Sequence, residues 1–152
     1  MDSAATTAAL RKATPYPYRK TLRVTPGADT DAFPDLAPLH QTEWTVSDHS
    51  NRQGIRLLGD LPIIGAPGGG VQPSEGVALG AIQVPPDGQP VILFVDSQTT
   101  GGYPVIANIA SVDLPSVAQL RPRDRVRFEM ISFAEARRLL LEQEAWIANA
   151  IR

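Results

Sequence analysis

The segment Asp96-Ser97-Gln98-Thr99-Thr100-Gly101-Gly102-Tyr103-Pro104 gathers hydroxyls, an amide, a carboxylate and a phenol within nine residues. It follows directly on the apolar run Val91-Ile92-Leu93-Phe94-Val95, which reads as a strand buried on both sides or at a barrel wall. A strand that stops in such a segment holds its polar groups rigidly, and the two glycines let backbone approach a ligand. Tyr103 is the candidate proton donor, because serine and threonine hydroxyls need a base that the neighbouring sequence does not supply. Asp96 is the candidate to orient Tyr103, or to serve as base where burial raises its pKa. Gln98, Thr99 and Thr100 are candidate binding groups. Gln83 joins them from the apolar stretch Ala81-Ile82-Gln83-Val84, where an amide is costly unless it is paired or faces a cavity. The competing reading is that Gln98 to Tyr103 close a polar hairpin.

Other clusters carry less. Asp48-His49-Ser50 holds the residue types of a catalytic triad, but neighbours in an extended chain point to opposite faces, so the segment reads as a polar turn with His49 a lone proton-shuttle candidate. The glycines of Gly65-Ala66-Pro67-Gly68-Gly69-Gly70 lack the Lys-Ser/Thr pair of a phosphate loop, and Pro73 interrupts the helix a dinucleotide site needs. A flexible loop is expected there. Arg121, Arg123, Arg125 and Arg127 alternate; on a strand they form one row, either a carboxylate grip or a solvated edge that blocks sheet association.

Composition narrows the classes. The 152 residues suit one domain with a single core. A net charge of −2 argues against nucleic acid as partner. Cysteine is absent and His40 and His49 are the sole histidines, so thiolate chemistry and multi-histidine metal sites are excluded. No metal, nucleotide or flavin is expected. No apolar run reaches the roughly 20 residues of a membrane span, and Met1-Asp2 opens no signal peptide. Cytoplasmic localisation is the resulting expectation.

The elements that must position these groups are short. Residues 1–19, rich in Ala and Thr with Pro15 and Pro17, read as a flexible tail, and residues 20–152 as one domain. Strands are expected at Lys20–Val24, Glu43–Ser47, Ile55–Leu58, Val77–Val84 around Gly80, Val91–Val95, Ile106–Ile109 and Arg125–Ile131. Asp113 is placed to cap a short helix. Ser132-Phe133-Ala134-Glu135 is a capping-box pattern. It opens one long helix whose stripe is Phe133, Ala136, Leu140, Ile147 and Ile151, widened by Leu139 and Trp146. The fold class is mainly β: a closed or nearly closed barrel with short helices and one C-terminal helix.

Three stretches together resemble a known family: Ser74-Glu75-Gly76-Val77, Gly80-Ala81-Ile82-Gln83-Val84-Pro85-Pro86-Asp87-Gly88-Gln89-Pro90, and Gln98-Thr99-Thr100-Gly101-Gly102-Tyr103-Pro104. The family is that of allophanate hydrolase subunit 2, also called the C subunit of 5-oxoprolinase or the biotin-dependent carboxyltransferase domain of urea carboxylase. Arg23-Val24-Thr25-Pro26-Gly27, Trp44-Thr45-Val46-Ser47, Ser50 to Leu57 and Leu120 to Phe128 agree with it. The likeness runs from about residue 20 to about residue 140 and covers only the family's C-terminal half. It implies a cyclophilin-like β-barrel. Members commonly carry Arg and Lys where this chain has Ser97 and Val105. Arg52, the nearest cation in the family pattern, is the candidate to replace some of that charge. The resemblance implies action on a small amide, lactam or carboxylated substrate within a complex. The partner would be a second copy or a subunit 1-like barrel. Any biotin would be carried by a partner and not bound by this chain. Two alternatives stand beside it: a stand-alone, cofactor-independent isomerase or cyclase of specialised metabolism using the barrel pocket, and a non-catalytic regulatory binding module.

Overall fold

A computed structural model describes residues 18–65 and 73–150. Nine strands appear in it: β1 (Thr21–Pro26), β2 (Trp44–Val46), β3 (Gly54–Leu58), β4 (Glu75–Gly76), β5 (Ala81–Gln83), β6 (Val91–Leu93), β7 (Thr100–Gly101), β8 (Val105–Ile109) and β9 (Arg125–Met130). Seven of them close a barrel in the order β1-β8-β5-β6-β3-β2-β9. The parallel pairing of β1 with β9, Leu22 opposite Phe128, completes the ring. The remaining pair, β4 and β7, forms a small two-stranded flap. The strand expected from Val77 is replaced by Glu75–Gly76, and the apolar run from Val91 is strand only to Leu93, with Val95 exposed.

Alternation of side chains fills the barrel interior. Leu22, Val24, Trp44, Val46, Leu57, Ile82, Ile92, Ile106 and Val126 are all buried in one cluster. Each such aliphatic side chain contributes about 1.5–3 kcal/mol by leaving water. The indole of Trp44 also donates to the Leu39 carbonyl at 3.2 Å, tying the helix Ala37–Gln41 to the core. The centre of the barrel is thus packed side chains.

Asp113 stands at the N-cap position of the helix Leu114–Val117, but its side chain makes no cap bond. It turns to β1, where it accepts from the Arg23 backbone N–H at 2.8 Å and from the guanidinium at 2.9 and 2.5 Å. A charge buried to 1% exposure needs that pairing more than a helix needs its cap. The capping serine is as expected: the Glu135 N–H donates to Ser132 Oγ at 3.1 Å, opening the helix Phe133–Ala150. The expected apolar stripe holds only in part: Ala136 and Leu140 pack with Leu139 as expected, but its two ends do not. Phe133 is 65% exposed and Ile147 is exposed too, whereas Leu139 is buried beside Ala110 and Val112. Only the first two turns lie on the barrel, and Ile151 falls outside the described residues.

β9 is paired on both sides, so its arginines guard no edge. Arg125 and Arg127 do grip a carboxylate, but it is the chain's own Glu43, at 2.6 and 3.0 Å. Arg121 and Arg123 precede the strand, in a turn where Arg123 adopts a φ of 73°. Tyr18 and Arg19, assigned to the tail, meet the barrel through Asp124 and Ser116. Residues 1–17 and the glycines from 66 to 72 lie outside the described residues. No helix among the described residues is long and apolar enough to cross a membrane.

Candidate functional site

Because Ile55, Leu57, Ile82 and Ile92 point inward, Gly54, Arg56, Gln83, Val91 and Leu93 must face outward. Register then sets them side by side. Arg56 pairs with Val91, Val91 with Gln83, and Gly54 with Leu93. Cross-strand partners stand about 5 Å apart, so Arg56 and Gln83 lie two strands apart on one outer wall with Val91 between them. The wall is the floor of a cavity of about 220 Å³. Its rim is made by Asn51 and Gln53 before β3, Pro85 after β5, and Ser97, Gln98 and Tyr103 from the polar segment. That volume lies below the roughly 300–1,000 Å³ of a drug-sized site and suits a small metabolite.

Gln83 is the least solvated polar group of the site, 3% exposed. Its register slips against β8: Ile82 faces Ala107 but Gln83 faces Val105, leaving Ile106 extra. Such a bulge re-aims the side chains beside it. The Gln83 Nε2 donates to the Tyr103 carbonyl at 3.1 Å. The amide oxygen takes no hydrogen bond from the described residues and is not sealed in the interior, so it opens on the cavity. Gly101 makes room for this arrangement. A Cβ there would stand 2.5 Å from Gln83 Nε2 and 3.4 Å from Gln98 Nε2, so both amides lie over the glycine.

Arg56 supplies the cavity's positive charge. Its backbone is fixed by Ser50, whose Oγ accepts from the Arg56 N–H at 3.0 Å and donates to its carbonyl at 3.2 Å. Its guanidinium has no ion-pair partner among the described residues. Asn51 shapes the rim by accepting from the Gln53 and Gly54 N–H groups at 2.8 and 3.3 Å, an Asx turn.

Of the residues singled out from sequence, Gln83, Gln98 and Tyr103 meet at this cavity. Thr99 and Thr100 do not line it; Thr100 belongs to the flap strand β7 and both are exposed. Arg52 and Asp96 are also elsewhere. Backbone bonds from Phe94 to Gln53 and from Asp96 to Arg52 zip the two loops together, and the side chains close an exposed ion pair at 2.5 and 3.2 Å. The Arg52 hydrogen bond holds the Asp96 carboxyl below its ordinary range, opposite to the shift a base requires. Asn51, Gln53 and Arg56 were missed, and Ser97 was singled out only as a position without the family's cation. Arg56 was legible in part, since Ile55 and Leu57 flank it in alternation and send it outward. Asp48, His49 and Ser50 form no triad: His49 is held by its backbone N–H to Ser47 Oγ, and Ser50 is engaged with Arg56. The two positions where the family pattern carries cations fall at cavities, Ser97 in this one and Val105 in a neighbouring one of about 140 Å³. Among the described residues no group of three or more His, Cys, Asp or Glu side chains gathers to hold a metal.

Residues 2–130 match the family model described as carboxyltransferase domain, subdomain A and B. The chain is 37% identical over 135 residues to the C subunit of 5-oxoprolinase from Haemophilus influenzae, covering 88% of this chain and 43% of that protein. It is 36% identical over 112 residues to urea amidolyase of Lachancea kluyveri, covering 69% of this chain but 6% of the relative. The solved urea amidolyase of K. lactis superposes with a TM-score of 0.79 at 30% identity, over 86% of this chain and 8% of that one. The chain thus spans less than half the length of each of these relatives. With its closed barrel and a match over most of its residues, the chain belongs to the carboxyltransferase-domain family of subdomains A and B.

Proposed function

We propose that this chain is a carboxyltransferase-family component that binds a small amide or lactam bearing a carboxylate in its outer-wall cavity, within a complex that supplies the rest of the active site. The observation that carries this reading is the Gln83 amide: 3% exposed, held by one bond, with its oxygen open to the cavity. An acceptor left free at the cavity wall can take a hydrogen bond from a substrate N–H. Arg56 faces the substrate carboxylate, where a guanidinium forms two parallel charge-assisted bonds. Tyr103 presents its phenol at the rim as the group that orients the substrate or passes it a proton. The relatives are named for 5-oxoproline and for urea. Of these, 5-oxoproline is a lactam with a carboxylate, and it fits the single cation better than neutral urea does.

Catalysis by this chain alone is less well supported. Asp96, the proposed base, is engaged by Arg52 away from the cavity, which leaves Tyr103 without a carboxylate partner. That one relative is named a subunit favours a complex. In a carboxyl transfer, biotin enters on a partner as a co-substrate, and no residue of this chain is assigned to it. Calorimetric titration of the full chain with 5-oxo-L-proline and with urea tests the reading. Binding of the lactam, weakened by Arg56→Met and Gln83→Leu but not by Arg125→Ala, is expected. Tighter binding of urea, or indifference to both cavity substitutions, would overturn it.

A further inference from the structure

The outer wall does not end at the first cavity. β8 lies beyond β5, and Val105 is the cross-strand partner of Gln83 on the far side. Val105 lines the second cavity, with Ala81 and Asn108 as further floor and Asp29 and Glu75 as its charged groups. Tyr103 is common to both cavities. The first cavity lies over β3, β6 and β5 and the second over β5 and β8, so Tyr103 belongs where the two adjoin.

Tyr103 is pinned at one point of its backbone, where its carbonyl accepts from the buried Gln83 amide. Its side chain makes no hydrogen bond with the described residues and is 42% exposed. Only its bulk is therefore available to the ring for dividing the two cavities. The compartments differ in sign. The first carries Arg56 and no carboxylate. The second carries Glu75, with no cation partner among the described residues, and Asp29, one of whose oxygens accepts from the Val105 N–H at 2.7 Å.

We propose that the two cavities are one divided site in which the Tyr103 ring sets the length of the ligand. The proposal rests on the amide-carboxylate reading of the first compartment. In the native chain the ring confines the ligand to a compact amide or lactam carboxylate beside Arg56 and Gln83. With the ring removed, the same head group takes a longer substituent on its amide nitrogen, reaching toward Asp29 and Glu75, and a tail ending in an ammonium is preferred to an apolar one. Tyr103 is thus a specificity-determining residue, whatever part its hydroxyl plays.

The test uses three probes with one head group: succinamate, its N-(3-aminopropyl) derivative, and its N-butyl derivative as the uncharged tail of equal length. Each is titrated by calorimetry into the full chain, Tyr103→Ala, Tyr103→Phe, and Tyr103→Ala with Glu75→Gln. Native chain and Tyr103→Phe are expected to prefer succinamate. Tyr103→Ala is expected to shift the preference between the aminopropyl probe and succinamate by roughly tenfold or more toward the longer probe, and Glu75→Gln to erase the advantage over the butyl probe. Should Tyr103→Ala melt prematurely, Tyr103→Val retains a side chain while shortening it and reads the same preference. Succinamate binding to the native chain with no such shift in either shortened variant overturns the divided site and leaves the proposed function standing. Aminopropyl binding only after shortening, with no native binding of succinamate, keeps the divided site and overturns the proposed head group. No binding of any probe to any variant overturns both.

Discussion

Gly101→Ala places one methyl group where the site has no space for it. The new Cβ would stand 2.5 Å from the Gln83 amide nitrogen, nearly an ångström inside ordinary contact. Backbone strain plays no part, because Gly101 is not among the residues with positive φ. Gln83 is buried and borders the cavity, so the cavity is the space into which its amide can swing. That movement breaks the bond to the Tyr103 carbonyl, a loss of about 0.5–1.5 kcal/mol, and drives the side chain off its rotamer at a similar cost of about 0.5–1.5 kcal/mol. The expected destabilisation is roughly 1–3 kcal/mol, a fall in melting temperature of several degrees at this chain length. The displaced amide also occupies the substrate's place, so affinity for 5-oxo-L-proline should fall about tenfold or more. A thermodynamic cycle isolates the cause. On a Gln83→Ala background nothing blocks the methyl group, and Gly101→Ala should then cost less than about 0.5 kcal/mol. Thermal and urea denaturation of the four proteins, with lactam titration of each, gives every value needed. Equal costs of Gly101→Ala on both backgrounds would refute the packing of Gln83 against the glycine, and unchanged lactam affinity in Gly101→Ala would refute the amide's place in the site.

Asp113→Ala strands the largely buried Arg23 guanidinium and should cost about 3–5 kcal/mol in urea denaturation, while any protein that remains folded should bind the lactam normally. Arg52→Ala and Asp96→Asn break only an exposed pair, so both should melt and bind as the native chain does; a loss of binding would return these residues to the site. The Glu43 carboxyl is held below its ordinary range by hydrogen bonds from Arg125 and then Arg127. Its folded pKa lies below its unfolded one, so the contribution is full at neutral pH and is lost as pH falls through the folded value. The gap in melting temperature between native chain and Glu43→Gln should be constant above about pH 5 and close on acidification, and a gap that widened instead would contradict the pairing.

The barrel was legible because its signals are local. Leu22 and Val24, or Val126 and Phe128, alternate with polar neighbours and report an inner face without reference to any other strand. Gln83 was legible for a similar reason, as a lone amide among Ala81, Ile82 and Val84. Arg56 was harder, since its place beside Gln83 depends on two successive registers, through Val91, that no local pattern states. Arg52 and Asp96 misled in the same way. Each sits close to the site in sequence, but the backbone bonds between their loops bring the two charges together at the surface. The terminal helix shows the limit of periodicity: Phe133 to Ile147 keeps a helical apolar spacing, yet only Leu139 and its neighbours reach the barrel.

Everything proposed for the site requires the outer-wall cavity to take the carboxylate and the amide of one small ligand at Arg56 and Gln83. Titration of uniformly ¹⁵N-labelled full chain with 5-oxo-L-proline, following the Arg56 Nε–H and the Gln83 and Gln98 side-chain amides, addresses this directly. These three signals are expected to move together and saturate with one dissociation constant, and Arg56→Met is expected to abolish the shifts of the two amides at the same ligand concentration. Saturating shifts confined to other residues, or no shifts up to the solubility limit of the ligand, would contradict the site.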